Sequence, residues 1–261
     1  LFLVTSPVGL RLSKAVGIVS APNLLPLSRL LFMKSLFKRL GSDPKYERWR
    51  WQMFAVTWLG YAGFYLTRKS FSIAKTGMGE ETEVGLLDAD MAWIDMGYLI
   101  AYAIGQFVWG ITADKVGPRK VLLGGMLISI LTGVAMGVST LPLALGVFFF
   151  IQGLCQSTGW APLTKNVSNF FSQRERGTIM GMWCTNYAVG GVVGSALAAW
   201  AATQWGYQYA FFVPAGVLLC IWFLFVFCQR NRPEDVGLPP IEEYHDEQKE
   251  AGEEPDHEEG Q

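Results

Sequence analysis

Histidine is nearly absent: the chain of 261 residues contains two, His245 and His257, both in its acidic tail. No apolar segment therefore carries an imidazole, and the HExxH pair of zinc hydrolases is missing. The nucleophile elbow GxSxG and the phosphate loop GxxxxGK[ST] are missing too, which leaves acyl transfer and nucleotide hydrolysis without their usual frames. Cysteine is sparse. Cys155, Cys184, Cys220 and Cys228 fall in or beside apolar runs without CxxC or metal-like spacing, so they read as core filler. No activated nucleophile or metal set remains from which to assemble an enzyme, and no cofactor is implied. Acids are absent before Asp43, while residues 234–261 hold twelve of them and one lysine. With 21 Lys and Arg against 22 Asp and Glu, the net charge is −1 and no basic nucleic-acid face follows.

What is abundant is apolar surface, at 51% hydrophobic and 14% aromatic residues. Six runs approach the ~20 residues needed to cross a hydrocarbon core: 51–74, 91–113, 121–138, 143–163, 178–202 and 209–227. The expected class is an all-α membrane protein with six transmembrane helices. The links "STLP" and "TQWGYQ" carry no cation, whereas "DKVGPRK" and "KNVSNFFSQRER" are basic, so basic and non-basic links alternate. Cations gather before the first run, after the second, after the fourth and after the sixth, which places 14 of the 21 on one side. By the positive-inside rule both termini are expected in the cytoplasm. Three cations, Arg68, Lys69 and Lys75, oppose that rule.

Helical spacing offers a reason for the first of them. Tyr61, Tyr65 and Arg68 recur at i, i+4 and i+7 and share a face, with Gly60 and Gly63 permitting a neighbour to approach. Tyr98, Tyr102 and Gln106 form a similar stripe in the second run. Two polar stripes on facing helices predict a wet cavity; the alternatives are an interfacial aromatic belt for the tyrosines and snorkelling for Arg68. An arginine at the centre of a span costs ~2.5–3.5 kcal/mol on insertion scales, which argues for a function.

Between the second and third runs, "GITADKVGPRK" (110–120) matches the pattern G-x-x-x-D-[RK]-x-G-x-[RK]-[RK] and resembles the corresponding loop of the major facilitator superfamily. A tight glycine-containing turn would let Asp114 meet helix ends and basic partners, so Gly110, Asp114, Gly117, Arg119 and Lys120 are expected to form a conformational latch; the alternative is a plain cytoplasmic turn. Within that superfamily, "RWQMFAVTWLGYAGFYLTRKSFSIA", "AYAIGQFVWGITADK", "QSTGWAPLTK", "FFSQRERG", "MWCTNYAVGG" and "RPEDVGLPPIEEY" resemble the organophosphate:phosphate antiporter family, most of all its glycerol-3-phosphate branch. The likeness runs from about residue 50 to 244 and covers the amino-terminal half of that fold.

The resemblance implies that Arg68 binds the substrate phosphate, and a planar guanidinium suits that task because it can hold two oxygens at once. It also implies that Tyr61, Tyr65, Tyr102, Gln156 and Trp160 line a cavity and that Lys69 and Lys165 keep basic positions there. Helix packing for Trp160 and cytoplasmic anchoring for Lys165 are the alternatives. Gln106 and Tyr187 stand where the family leads one to expect Lys and His, so the cavity is less cationic and glycerol 3-phosphate cannot be assumed. The implied activity is exchange of an organic phosphate ester for inorganic phosphate; a membrane receptor for sugar phosphates that signals through a partner is the alternative.

The family fold has two six-helix halves with the site between them. The expected partners are thus a phosphate ester, inorganic phosphate, the lipid bilayer and a second six-helix half, from the same gene, a separate chain or a homodimer. Residues 1–50 are read as an amino-terminal tail, 51–228 as the six-helix domain and 229–261 as an acidic, disordered cytoplasmic linker. Met33 begins a start-like basic segment, so residues 1–32 read as upstream or targeting sequence. The expected location is a bacterial cytoplasmic membrane, with an organellar membrane as the alternative. Alkaline phosphatase fused after Glu83 should be active and fused after Arg232 silent; the reverse pattern would overturn the topology.

Overall fold

A computed structural model of the chain describes residues 44–79 and 84–244. The chain divides into two units, Leu1–Ser42 and Asp43–Gln261, and the first lies outside the described residues, as does the expected upstream segment 1–32. Among the described residues of the second, the helices α1 (Pro44–Ala74), α2 (Asp88–Val116), α3 (Pro118–Val138), α4 (Pro142–Gln156), α5 (Trp160–Phe170), α6 (Arg176–Trp183), α7 (Thr185–Trp205) and α8 (Tyr209–Cys228) follow in order. Short 3₁₀ turns lie at Lys75–Gly77 and Pro233–Val236, and among the described residues the sole β feature is an isolated bridge between Gly79 and Leu86. The all-α expectation holds. Among the described residues four helices are long and apolar enough to cross a membrane: α2, α3, α8 and the broken pair α4–α5 taken as Pro142–Phe170. The first and fifth expected runs fall short of that measure because α1 dilutes its apolar residues with Arg, Lys, Gln, Tyr and Trp, and α7 dilutes its own with Asn, Gln, Gly, Thr, Tyr and Trp.

Two breaks have local causes. Between α4 and α5, the Ser157 and Thr158 hydroxyls donate to the carbonyls of Leu154 (2.6 Å) and Cys155 (2.7 Å). Such back-bonding competes with the helix ladder and bends it. The turn then passes under Gly159, where a Cβ would lie 3.1 Å from the rings of Phe64 and Tyr61. In the fifth expected run, α6 gives way to α7 at Cys184.

Backbone-to-backbone approach sets the arrangement. A Cβ at Gly190 would stand 2.8 Å from the Ala62 oxygen, and one at Gly194 would stand 2.9 Å from Leu66 Cα, so α7 lies directly on α1. A Cβ at Gly153 would meet the Tyr98 oxygen at 2.6 Å, which draws α4 equally close to α2. Small residues at such contacts let packing replace the hydrophobic drive that lipid does not supply. Gly60 and Gly63, expected to admit a neighbour, receive Phe225, Ile221 and Leu218 of α8. Around α1 the core is filled by Phe64, Met126, Leu163, Trp183, Leu218 and Phe225, all fully buried.

The amino-terminal end of α1 is clamped. Arg50, 1% exposed, donates through Nε to the Phe170 oxygen at 3.0 Å and through Nη1 to Glu47 Oε1 at 2.5 Å. Its Nη2 pairs with Glu175 Oε1, and its guanidinium lies 4.7 Å above the Phe171 ring. Beside it Tyr46 stacks on Tyr244 with centroids 3.8 Å apart and donates to the Pro239 oxygen at 3.1 Å. Burial pushes the Tyr46 phenol up, so it stays protonated and able to donate.

That contact corrects one expectation. The first part of the segment read as disordered linker is folded: the turn Pro233–Val236 leads to Leu238, Ile241 and Tyr244, which bury against Tyr46 and Trp49. Averaging the acidic stretch conceals these three apolar anchors; residues 245–261 lie outside the described residues. Arg50→Ala would leave two carboxylates and a carbonyl without their shared donor, so it should destabilise the fold by about 3 kcal/mol. Thermal unfolding in detergent measures this, and an unchanged midpoint would show that the clamp contributes nothing.

Candidate anion-binding site

Arg68 lies in the last third of α1, and its guanidinium is enclosed by phenol rings. Its Cζ stands 4.5 Å from the Tyr65 ring centroid, 4.6 Å from that of Tyr102 and 5.8 Å from that of Tyr98. The negative faces of these rings stabilise a cation without neutralising it. One carboxamide sets its direction: Gln156 Oε1 accepts from Arg68 Nε at 3.2 Å and from the Tyr98 hydroxyl at 2.8 Å. The same amide donates through Nε2 to Thr67 Oγ1 at 2.9 Å, which determines its orientation. Gln152, one turn earlier on α4, donates to the Thr67 oxygen at 3.4 Å. Gln156 is fully buried at the last residue of α4, just where the Ser157–Gly159 break aims it at α1.

Two features make this a site. Among the described residues no carboxylate forms an ion pair with Arg68; the four ion pairs present use other cations. Its Nη2 is buried and has no hydrogen-bond partner among the described residues. A buried guanidinium with a positive charge uncompensated and a donor unused is arranged to receive an anion.

An aromatic wall adjoins it. Tyr61 is 3% exposed and contacts Tyr65 at 5.6 Å, Trp160 at 5.6 Å and Trp183 at 5.3 Å between centroids. Trp160 and Trp183 meet edge-on at 5.8 Å, and Tyr187 lies 6.4 Å from Tyr65. Trp160 and Tyr187 remain 38% and 49% exposed, so their rings are available to a ligand.

The other expected site residues are placed differently. Lys69 reaches α7 beside Tyr65: its Cε and Tyr65 Cδ1 both lie 3.9 Å from where a Gly191 Cβ would be. Gln106 is half-buried one turn beyond Tyr102 on the same α2 stripe. Lys165 forms an ion pair with Asp114 instead of joining the Arg68 group. The latch residues likewise find partners outside their loop: Arg119 donates through Nη2 to the Val226 oxygen and through its backbone to Asn231 Oδ1 at 3.0 Å. Gly117 has φ +89°, a conformation that favours glycine in the α2–α3 turn. Gly110 has open space where a Cβ would point, and Lys120 is exposed. A cavity of about 580 Å³ between α2 and α4, lined by Trp93, Ile94, Leu143 and Phe150 among others, holds none of the Arg68 group.

Thr67, Tyr98 and Trp183 belong to this constellation although the candidate residues omit them. Tyr98 was visible as a member of the α2 stripe. Thr67 and Trp183 carry no sequence signal beyond a polar residue beside Arg68 and an aromatic at a helix end.

Long apolar helices packed around a guanidinium that has no counter-carboxylate among the described residues mark an all-helical membrane protein. The chain belongs to the Major Facilitator Superfamily, whose family model matches residues 57–254. Within it, the curated relatives it matches include glycerol-3-phosphate and hexose phosphate transporters, consistent with the organophosphate:phosphate antiporter family. It is 34% identical over 211 residues to the glycerol-3-phosphate transporter of Bacillus subtilis, covering 77% of this chain and 46% of that protein. It is 33% identical to a "Probable hexose phosphate transport protein" of Chlamydia trachomatis, covering 79% of this chain and 46% of the other. The membrane sensor protein UhpC of Escherichia coli is 28% identical, again over 77% of this chain and 46% of the sensor. The chain therefore spans about half the length of the curated relatives it matches. A solved proton:xylose symporter, 12% identical, superposes with a TM-score of 0.60 over 71% of this chain and 46% of the symporter, which shows the fold alone. The chain is a multi-pass membrane protein of a transporter family, not of an enzyme family.

The role of Gln156 can be separated from its packing. Gln156→Leu should cost roughly 1–3 kcal/mol by stranding Arg68 Nε, the Tyr98 hydroxyl and Thr67. Gln156→Glu should fold, because it pairs with Arg68, but should lose any stabilisation by added phosphate. A phosphate-dependent rise in melting temperature equal to the parent's in Gln156→Glu would show that anions do not bind at Arg68.

Proposed function

We propose that the chain is the amino-terminal, six-span half of a carrier that exchanges an organic phosphate ester for inorganic phosphate by alternating access. Six spans are counted by adding α1 and the α6–α7 pair to the four membrane-length helices; both termini face the cytoplasm of a bacterial cell, and a second six-helix half completes the site. The observation that carries the reading is Arg68, a buried guanidinium with neutral partners and an unused Nη2. A phosphate entering a low-dielectric cavity loses its hydration and must recover it from fixed donors. Arg68 offers two-pronged contact, the hydroxyls of Tyr65 and Tyr102 lie beside it, and the wall of Tyr61, Trp160 and Tyr187 can stack on the organic moiety. With Gln106 on the facing stripe in place of a cation, the charge that recognises phosphate is concentrated in Arg68.

The pairs Asp114–Lys165 and Arg119–Val226 then act as the latch, tying the α2–α3 turn to α5 and α8 until the helices rock. Similarity to a membrane sensor supports a second reading, in which the same site binds a sugar phosphate and signals through a partner. Phosphate counterflow by the complete gene product in proteoliposomes distinguishes the two, since a sensor binds without exchange.

In that preparation Arg68→Ala should abolish phosphate binding. Arg68→Lys should lose more than about tenfold, because a point ammonium cannot replace a bidentate contact. Lys69→Ala should be milder, since a residue next to Arg68 projects about 100° away around the helix, and Gln106→Lys should favour dianions over monoanions. Binding measured from pH 6 to 8 tests the set: if Arg68→Ala binds like the parent and Lys69→Ala does not, the wrong cation has been chosen.

A further inference from the structure

Lys75 and Asp95 are ionisable residues that the Arg68 site does not use. Lys75 opens the 3₁₀ turn after α1, Asp95 lies in the second turn of α2, and the two form an ion pair. Helical arithmetic puts them on the site's own faces. Lys75 is seven residues from Arg68, two turns and roughly 10 Å along the axis on the same side of the helix. Asp95, Tyr98 and Tyr102 follow at i, i+3 and i+7. The pair therefore stands at the α1–α2 loop end of the two stripes that hold the phenol cage, while Asp114–Lys165 stands at the other end.

The pair is accessible: its side chains are 25% and 42% exposed. The backbone beneath it is held, with Met78 N–H donating to the Lys75 oxygen at 3.0 Å and Leu86 N–H to the Met78 oxygen at 2.8 Å. Gly77 packs so tightly on Tyr207 that a Cβ would come within 2.6 Å of it, and Lys75 Nζ lies 5.2 Å from the Phe71 ring. An ion pair this exposed contributes little to stability, whereas an acid within a membrane-length helix is costly to keep. Stability is a poor reason for its presence.

We propose that Lys75–Asp95 is an exchangeable anion anchor at the mouth of the site, an inference that rests on the phosphate reading of Arg68. The phosphate of an arriving ester displaces the Asp95 carboxylate from the Lys75 ammonium, stops there, and moves two helical turns inward to Arg68. Asp95 keeps the mouth neutral between substrates and, by returning to Lys75, expels the anion on the way out. Lys75 thus supplies affinity and Asp95 supplies release. Removing them should shift binding in opposite directions, which a merely structural pair would not do.

The test uses inorganic phosphate and the complete gene product in proteoliposomes, with equilibrium binding and counterflow measured on the same samples. Asp95→Asn should tighten binding roughly three- to tenfold and slow exchange, whereas Lys75→Gln should weaken binding by a similar factor. Lys75→Arg, which keeps the charge, should bind like the parent, and guards against Lys75→Gln failing to fold. Both substitutions shifting binding in the same direction, or neither shifting it, would overturn the anchor while Arg68-dependent binding by the parent upholds the site. A parent that binds no phosphate would overturn both.

Discussion

The interaction on which the structure turns is the hold of Gln156 and three phenol rings on a guanidinium that has no counter-carboxylate. An arginine in apolar surroundings ordinarily recruits an acid, as Arg50 does with Glu47 and Glu175 at the far end of the same helix. Arg68 instead receives one amide oxygen and three ring faces, which compensate part of its desolvation and leave its charge outstanding. The contrast between the two arginines is that Arg50 is neutralised by its partners and Arg68, among the described residues, is not. Replacing Gln156 by an acid would make the second like the first.

Keeping Arg68 in place requires that α1 not shift against α4 or α7. The backbone contacts at Gly190 and Gly194 fix α1 to α7 and that at Gly153 fixes α4 to α2, while the Gln156 hydrogen bonds to Arg68, Thr67 and Tyr98 join the two pairs. The clamp around Arg50 and the stack of Tyr46 on Tyr244 hold the start of α1 against the α5–α6 turn and the segment after α8. Rigid surroundings matter here because an Arg rotamer costs about 2 kcal/mol of side-chain entropy to fix. Packing and the Gln156 hydrogen bond supply that restraint in advance of a ligand.

Charge is distributed along α1 and α2 by function. In the middle, Arg68 has no carboxylate partner among the described residues, whereas Lys75 and Lys165, toward either end, are paired with Asp95 and Asp114. Lys165, a basic position by resemblance, stands apart from the Arg68 group because it pairs with Asp114, while Lys69 lies beside Tyr65 over α7.

The sequence by itself determined the helical class, the family, and the stripe Tyr61, Tyr65, Arg68, because an α-helix converts spacing directly into a face. It also marked the α2–α3 turn, since the glycine, aspartate and arginine pattern is local. What tertiary structure decided is everything that depends on contact between distant segments. Arg68 and Gln156 are 88 positions apart, and no periodicity within either helix states that one amide will bridge Arg68, Tyr98 and Thr67. Lys165 carries a charge in the sequence but no direction, and only the approach of α5 to the α2–α3 turn assigns it to Asp114. Leu238, Ile241 and Tyr244 disappear into an acidic average until α1 offers Tyr46 and Trp49 as a surface to bury them. Periodicity determines which residues share a face, while the partner of that face is set by packing, which the order of residues does not encode locally.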